Sequence, residues 1–121
     1  MSSPTQRSLK YMRDQGYVAQ VVERYNPYAR VRVDLFGFID IVAIDTARNQ
    51  LVGIQVTSQS NVSARIKKVQ GLGTPYFWCR AGGRIEVHGW AKKGKAKTRK
   101  TWQVTVTQLD DFPINEKVAP L

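Results

Sequence analysis

Asp40 sits where a carboxylate is costly. It interrupts an apolar, β-branched run at residues 38–44, and a second such run follows at residues 51–56. Both are of strand length. Between them, Asp45-Thr46-Ala47-Arg48-Asn49-Gln50 is polar, and its Asp and Asn suit tight backbone turns. The stretch from Val31 to Ser58 therefore predicts a β-hairpin, with Gln55 and Thr57 alternating with Val56 on its second strand. A buried acid has to be paired, hydrogen-bonded or metal-bound. Any fold built on this hairpin must give Asp40 a cation, backbone donors or a neighbour such as Arg32.

The flanking segments supply the rest of a sheet. Residues 6–15 favour a helix, with Thr5 as N-cap, Gly16 as stop, Leu9 and Met12 inward and Arg7, Lys10 and Arg13 outward. Residues 17–22 predict a strand. Glu23 to Tyr28 reads as an aromatic turn broken at Asn26-Pro27, and the basic segment 30–33 leads into the hairpin. Downstream, Val62, Ile66 and Val69 at helical spacing predict a helix over 61–70, ended by Gly71 and Gly73. Residues 76–80 then predict a strand, Gly82-Gly83 a two-residue hairpin turn, and residues 84–88 and 102–109 two alternating strands. Cys79 is expected in the core, His88 facing solvent or DNA, and 110–121 as a tail. The expected fold is one α/β domain over residues 1–121, its core about 6–109: a mixed central β-sheet flanked by helices, with a basic β-hairpin.

Charge narrows the partners. Nineteen Lys and Arg against nine Asp and Glu leave a net +10, which in a folded domain points to a polyanion. Six of the cations, Lys92, Lys93, Lys95, Lys97, Arg99 and Lys100, crowd the loop at 91–101 between Trp90 and Trp102. This predicts a basic hairpin finger, its tryptophans bracing the base or stacking on nucleobases. Arg30, Arg32, Arg65, Lys67 and Lys68 extend the same sign. Lysine-rich loops contact phosphates rather than base edges, so structure-specific rather than sequence-specific DNA binding is expected. One cysteine and one histidine exclude an internal disulfide and a multi-cysteine zinc site. No apolar run approaches membrane-spanning length and the N-terminus lacks a signal-peptide core, so a cytoplasmic protein with no membrane partner is expected.

The order helix, strand, Gly-x-x-Asp strand, x-Val-x strand and helix resembles the PD-(D/E)XK nuclease superfamily. Small Holliday-junction-resolvase-like and Mrr-like members are the most similar. Gly37-Phe38-Ile39-Asp40-Ile41-Val42-Ala43 and Ile54-Gln55-Val56-Thr57-Ser58 carry the resemblance, within residues 6–80. It implies a restriction-endonuclease-like fold and an endonuclease that hydrolyses phosphodiesters of branched or structured DNA with Mg²⁺ or Mn²⁺. By position, Asp40 matches the motif Asp, Gln55 the (D/E), Val56 the carbonyl donor and Thr57 the lysine. Glutamine at 55 resembles the Mrr-type variant, in which an amide oxygen replaces a carboxylate. Thr57 cannot supply a cation, and Lys68 or Lys67 on the following helix is the substitute that some members use. Gln6 stands near the place of the resolvase helix-1 acid, and Asp34 and Glu23 are the acids able to compensate. A homodimer and a phage or mobile-element setting are implied by resemblance only.

Three bland readings stand beside these: Asp34 shapes a turn, Lys67 and Lys68 form a solvated helix face, and the lysine loop merely solubilises. The rival function is a non-catalytic DNA-binding protein that kept the fold and lost the metal site, because Gln55, Thr57 and Gln6 each put a neutral group where the family has a charge. An RNA-binding module would share the charge but not explain Asp40. Replacing Lys92, Lys93 and Lys100 by Gln is expected to weaken duplex binding and to reduce the slope of log K against log salt by up to about 3, near 0.9 for each phosphate that is no longer neutralised. An unchanged slope in a filter-binding titration would place the DNA surface elsewhere.

Overall fold

The computed structural model describes residues 3–94, 99–110 and 112. Helix α1 (Pro4–Asp14) begins with Ser3 as N-cap, its Oγ accepting from the Gln6 N–H at 3.1 Å, and Pro4 opens the first turn. The cap is thus two residues before the expected Thr5. Ser8, Leu9 and Met12 form the buried stripe. Arg7 does not face solvent as expected; its guanidinium lies 3.7 Å from the Trp102 ring centroid.

Strands β1 (Val18–Val21), β4 (Ile41–Asp45), β5 (Gln50–Ser58), β6 (Arg84–Lys93) and β7 (Thr101–Leu109) form one sheet in the order β1-β4-β5-β6-β7. All neighbours are antiparallel except β5 and β6, which run parallel. Strands β2 (Arg24–Asn26) and β3 (Val31–Val33) pair only with each other, where a turn and a lead-in segment were expected. A parallel neighbour needs a crossover over the sheet. A 3₁₀ turn (Gln59–Asn61), α2 (Val62–Gln70) and α3 (Thr74–Arg80) provide it.

The expected strand at 76–80 is therefore helix α3. Pro75 presets its first turn, and Pro75, Trp78 and Cys79 turn inward at helical spacing while Phe77 stays exposed. An apolar run this short is ambiguous by periodicity alone. Gly82 and Gly83 accordingly link α3 to β6 rather than two strands: Gly82 takes φ 98°, and the Gly83 N–H donates to the Trp78 carbonyl at 2.9 Å.

The alternation of β5 separates two cores. Val52, Ile54 and Val56 pack with Leu9, Met12, Ile41 and Trp90 under α1. On the other face, Phe38, Ile39, Val69, Ile85 and Val87 pack with Trp78 and Leu72 under α2 and α3. Gly53 on that face has no room for a side chain, since a Cβ would lie 2.9 Å from Ile39 Cδ1.

His88 is fully buried, which overturns its expected exposure. It belongs to a polar chain on the α1 side of β6. Trp90 Nε1 donates to Ser8 Oγ at 2.8 Å, and Ser8 Oγ shares a hydrogen bond with His88 Nδ1 at 2.9 Å. His88 Nε2 meets Glu86 Oε1 at 2.9 Å, and Glu86 Oε2 accepts from Arg84 Nε at 3.2 Å. Arg84 Nη1 also donates to Asp45 Oδ2 at 3.0 Å. Burial pushes Asp45 and Glu86 upward, but the Arg84 guanidinium beside Asp45 and the His88 and Arg84 hydrogen bonds and charges at Glu86 outweigh it, so both carboxyls lie below their ordinary values.

Ser8→Ala would strand a buried indole N–H and an imidazole nitrogen, so it is expected to cost about 1–3 kcal/mol. Lys10→Ala, which removes an exposed ion pair to Asp14, is expected to cost under about 1 kcal/mol. Urea unfolding of the two variants compares them directly, and equal midpoints would remove the structural role of the buried chain.

Candidate metal centre and its basic rim

Backbone geometry delivers Asp40 to one end of the sheet. Its N–H donates to the Ile54 carbonyl at 2.8 Å, continuing the β4–β5 ladder. Its own carbonyl accepts from Val22 at 2.8 Å and Glu23 at 3.3 Å, which pins the end of β1 beside it. The loop before it is tight: Phe36 and Gly37 take φ 55° and 86°, and Leu35 and Ile39 exchange backbone hydrogen bonds of 2.9 and 3.0 Å. That loop swings Asp34 back over Asp40.

Carboxylate oxygens of Glu23, Asp34 and Asp40 all lie within 4.8 Å of one another. Asp40 Oδ2 accepts from the Val56 N–H and from Gln55 Nε2, both at 2.7 Å. Gln55 Nε2 also approaches Asp34 Oδ2 at 3.4 Å, and Lys68 Nζ reaches the same oxygen at 3.4 Å. Burial, then the hydrogen bond and charge of Asp34 and the charge of Glu23, push Asp40 up to about 8 against the pull of the Val56 amide. Three crowded acids, with Lys68 and Arg32 at their edge and no cation on Asp40 itself, hold a proton more readily than three negative charges.

Two further observations bear on a metal. Gln55 is 1% exposed, and its Oε1 has no hydrogen-bond partner among the described residues. Because the N–H and C=O of a strand residue share one edge, the Val56 carbonyl lies on the edge where its N–H meets Asp40. The donor set is all oxygen: three carboxylates, an unpartnered amide oxygen and a backbone carbonyl. That chemistry suits Mg²⁺ or Mn²⁺.

The residues singled out from sequence divide clearly. Asp40, Gln55, Val56, Asp34 and Lys68 come together, and the Glu23 carboxylate joins them. Arg32 does not neutralise Asp40; its Nη1 pairs with Glu23 Oε1 at 2.9 Å. Thr57 is buried one position beyond Val56, on the Gln55 side of β5. Arg65 and Lys67 share α2 with Lys68 but make no ion pair with the cluster. Gln6 is exposed, and Ser8 takes the inward position on α1.

Strand directions place the basic elements. Strands β1, β5 and β6 run the same way, so their C-terminal ends share one end of the sheet with Asp40 and Gln55. From that end the β2–β3 ribbon, carrying Arg30 and Arg32, leaves β1. The β6–β7 hairpin extends past the Ser58↔Trp90 pair to Lys93↔Thr101, with Lys92, Lys93, Arg99 and Lys100 exposed on it. Lys95 and Lys97 lie outside the described residues, as does the tail apart from Asp110 and Phe112. Trp90 is buried on Ser8, whereas Trp102 stays 45% exposed, with the Arg7 guanidinium over its ring and Lys92 Nζ 5.3 Å from its centroid.

No protein-family model, curated protein or solved structure matches this chain. Among the described residues, no helix is long and apolar enough to cross a membrane.

From the ordinary carboxylate range up to about 8, the unfolded chain has released the Asp40 proton and the folded protein keeps it. The folded state then binds more protons, so the stability of the metal-free protein is expected to fall as pH rises through that window. Thermal unfolding in EDTA from about pH 5 to about pH 8 tests this. Asp40→Asn is expected to flatten the decline, and a profile identical in wild type and variant would remove Asp40 as its source.

Proposed function

We propose that this protein is a divalent-metal-dependent DNA endonuclease of PD-(D/E)XK type, acting on branched or otherwise structured DNA. The observation that carries it is the convergence of Asp40, Gln55 and Val56 from two paired strands with Asp34, Glu23 and Lys68 at one end of the sheet, between two arginine- and lysine-bearing hairpins.

Asp40, Asp34 and Glu23 with Gln55 Oε1 and the Val56 carbonyl would hold Mg²⁺ or Mn²⁺. Held there, such an ion would supply Lewis-acid polarisation of the scissile phosphate and activation of a water nucleophile. The other roles belong to the chain. Lys68, on α2, supplies the cation that Thr57 cannot, orienting the attacking water or offsetting charge that develops on the phosphate. Lys92, Lys93, Arg99 and Lys100 neutralise the flanking backbone, as do Lys95 and Lys97 in this reading, and Arg65 and Lys67 add to that field from α2. Lysine contacts of this kind favour shape over sequence, which suits a structure-selective enzyme. Cleaving two strands would call for a homodimer, and the work of such an enzyme is cytoplasmic.

Two observations favour the rival, a DNA-binding protein without catalysis. Asp40 Oδ2 already receives two hydrogen bonds, and no cation stands at the Thr57 position. Calorimetric titration with Mn²⁺ separates the two: Asp40-dependent binding belongs to the enzyme, and its absence to the binder.

Supercoiled plasmid and a synthetic four-way junction are expected to be cut in Mg²⁺ or Mn²⁺ and not in EDTA. Asp40→Asn, which keeps an acceptor for the Val56 N–H, is expected to lower the rate by at least about 10²–10³, and Lys68→Ala by about 10². Tight DNA binding with no cleavage in either metal would sink the enzyme and leave the rival.

A further inference from the structure

Between Glu23 and Asp34 the chain leaves the sheet, forms the β2–β3 ribbon and returns. Every residue from Arg24 to Val33 is exposed. A lone two-stranded ribbon is marginal in water, yet local chemistry shapes this one. Asn26 Oδ1 accepts from the N–H groups of Tyr28 at 3.0 Å and Ala29 at 3.2 Å, and Arg30 closes the turn at φ 55°. The turn presents Tyr28 at 98% exposure, and Tyr25 on β2 is 62% exposed. Among the described residues, neither ring packs against another aromatic ring.

The register sets the ribbon against the site. Tyr25 lies opposite Arg32, and Arg32 is paired to Glu23, so the Tyr25–Arg32 face runs directly into the acid cluster. Residues 24–33 carry three arginines, two tyrosines and no acid. Arginine with exposed aromatic rings is the composition that grips single-stranded nucleic acid, the cations on phosphates and the rings on base faces. In a continuous duplex those faces are already stacked. The polar residue best suited to reading base edges from this ribbon, Asn26, is committed to its own turn.

We propose that the β2–β3 ribbon is a base-stacking arm: Tyr25 and Tyr28 stack on unpaired bases of DNA while Arg24 and Arg30 hold the adjoining phosphates, leading that strand past the acid cluster. This rests on the nucleic-acid reading above and adds to it the feature selected, unpaired bases such as those at a branch or flap.

The test uses the full-length protein in EDTA, so that nothing is cut, and fluorescence anisotropy on a single-stranded oligonucleotide, a duplex of the same sequence and a four-way junction. Tyr25→Ala and Tyr28→Ala are each expected to weaken single-strand binding about tenfold, with duplex binding unchanged. Tyr28→Trp is expected to restore it. The log-salt slope on the single strand should stay constant in the tyrosine variants and fall by about 0.7 in Arg24→Gln. Unchanged single-strand affinity in both alanine variants, or equal losses on single strand and duplex, overturns the arm. A loss of self-association by light scattering with DNA affinity intact reassigns the ribbon to contact between copies and overturns it as well. Wild-type binding to duplex but not to single strands overturns the arm and leaves the nuclease reading standing, whereas binding to none of the three DNAs removes both.

Discussion

The hydrogen bond from the Val56 N–H to Asp40 Oδ2 governs this structure. At Ile54 the β4–β5 ladder is still backbone to backbone, and one turn of the pleat later a side chain has replaced the neighbouring strand. The sheet parts at that point. The chain before β4 is released to form the Asp34–Asp40 loop, and the edge of β5 stays open instead of being sealed by another ladder rung. A carboxylate that only satisfied one amide could face water. This one is 3% exposed, crowded by two acids and bordered by an amide and an ammonium. The same atoms hold the Val56 backbone and join the acid cluster, so removing the side chain confounds the two, while Asp→Asn separates charge from hydrogen-bond acceptance.

The two faces of β6 differ: Ile85 and Val87 pack in the second core, and the opposite face is polar. On the α1 side, Arg84, Glu86, His88 and Trp90 follow one another at the strand period, joined to Asp45 and Ser8 by side-chain hydrogen bonds. Serine, histidine and glutamate in line suggest a nucleophilic array, but Ser8 and His88 are fully buried and the Ser8 oxygen already accepts from an indole. The chain is a lock between α1 and the sheet. It fixes β6 as the rigid root from which the basic hairpin extends, beside the end of β5 that carries Gln55 and Val56.

Much of this was legible in the residues. The apolar runs flanking Asp45–Gln50 gave the central hairpin, and Asp40 stood out because a buried acid needs a reason. Val62, Ile66 and Val69 gave α2, and with it the position of Lys68. What stayed hidden was set by tertiary geometry. Residues 76–80 are equally apolar as helix or strand, and only the parallel pairing of β5 with β6 requires a crossover there. The Pro75–Trp78–Cys79 spacing was the available sign. His88 alternates like a surface residue, and its burial depends on Ser8, eighty positions away. The β2–β3 ribbon was obscured by Asn26-Pro27, which marks a turn truthfully but not the short strands on either side. Glu23 and Asp34 belong together only because that ribbon closes.

The charge balance of the cluster connects the residues at 55 and 57 physically. Glu23 and Asp34 already bring two carboxylates to Asp40, and the Asp40 proton is retained up to about 8. A fourth carboxylate at 55, in a side chain 1% exposed, would add another buried negative charge beside them and drive protons onto the group rather than create a better anion cage. An amide avoids that: its N–H₂ bridges Asp40 and Asp34, and its oxygen remains unpartnered. The cation follows the same logic. A lysine at buried Thr57 would introduce a buried ammonium that needs an acid partner. From α2, Lys68 stays partly exposed while its Nζ lies 3.4 Å from Asp34 Oδ2. The acids at the two ends of the ribbon, the amide on β5 and the lysine on α2 form one charge balance, in which each group makes the others tolerable.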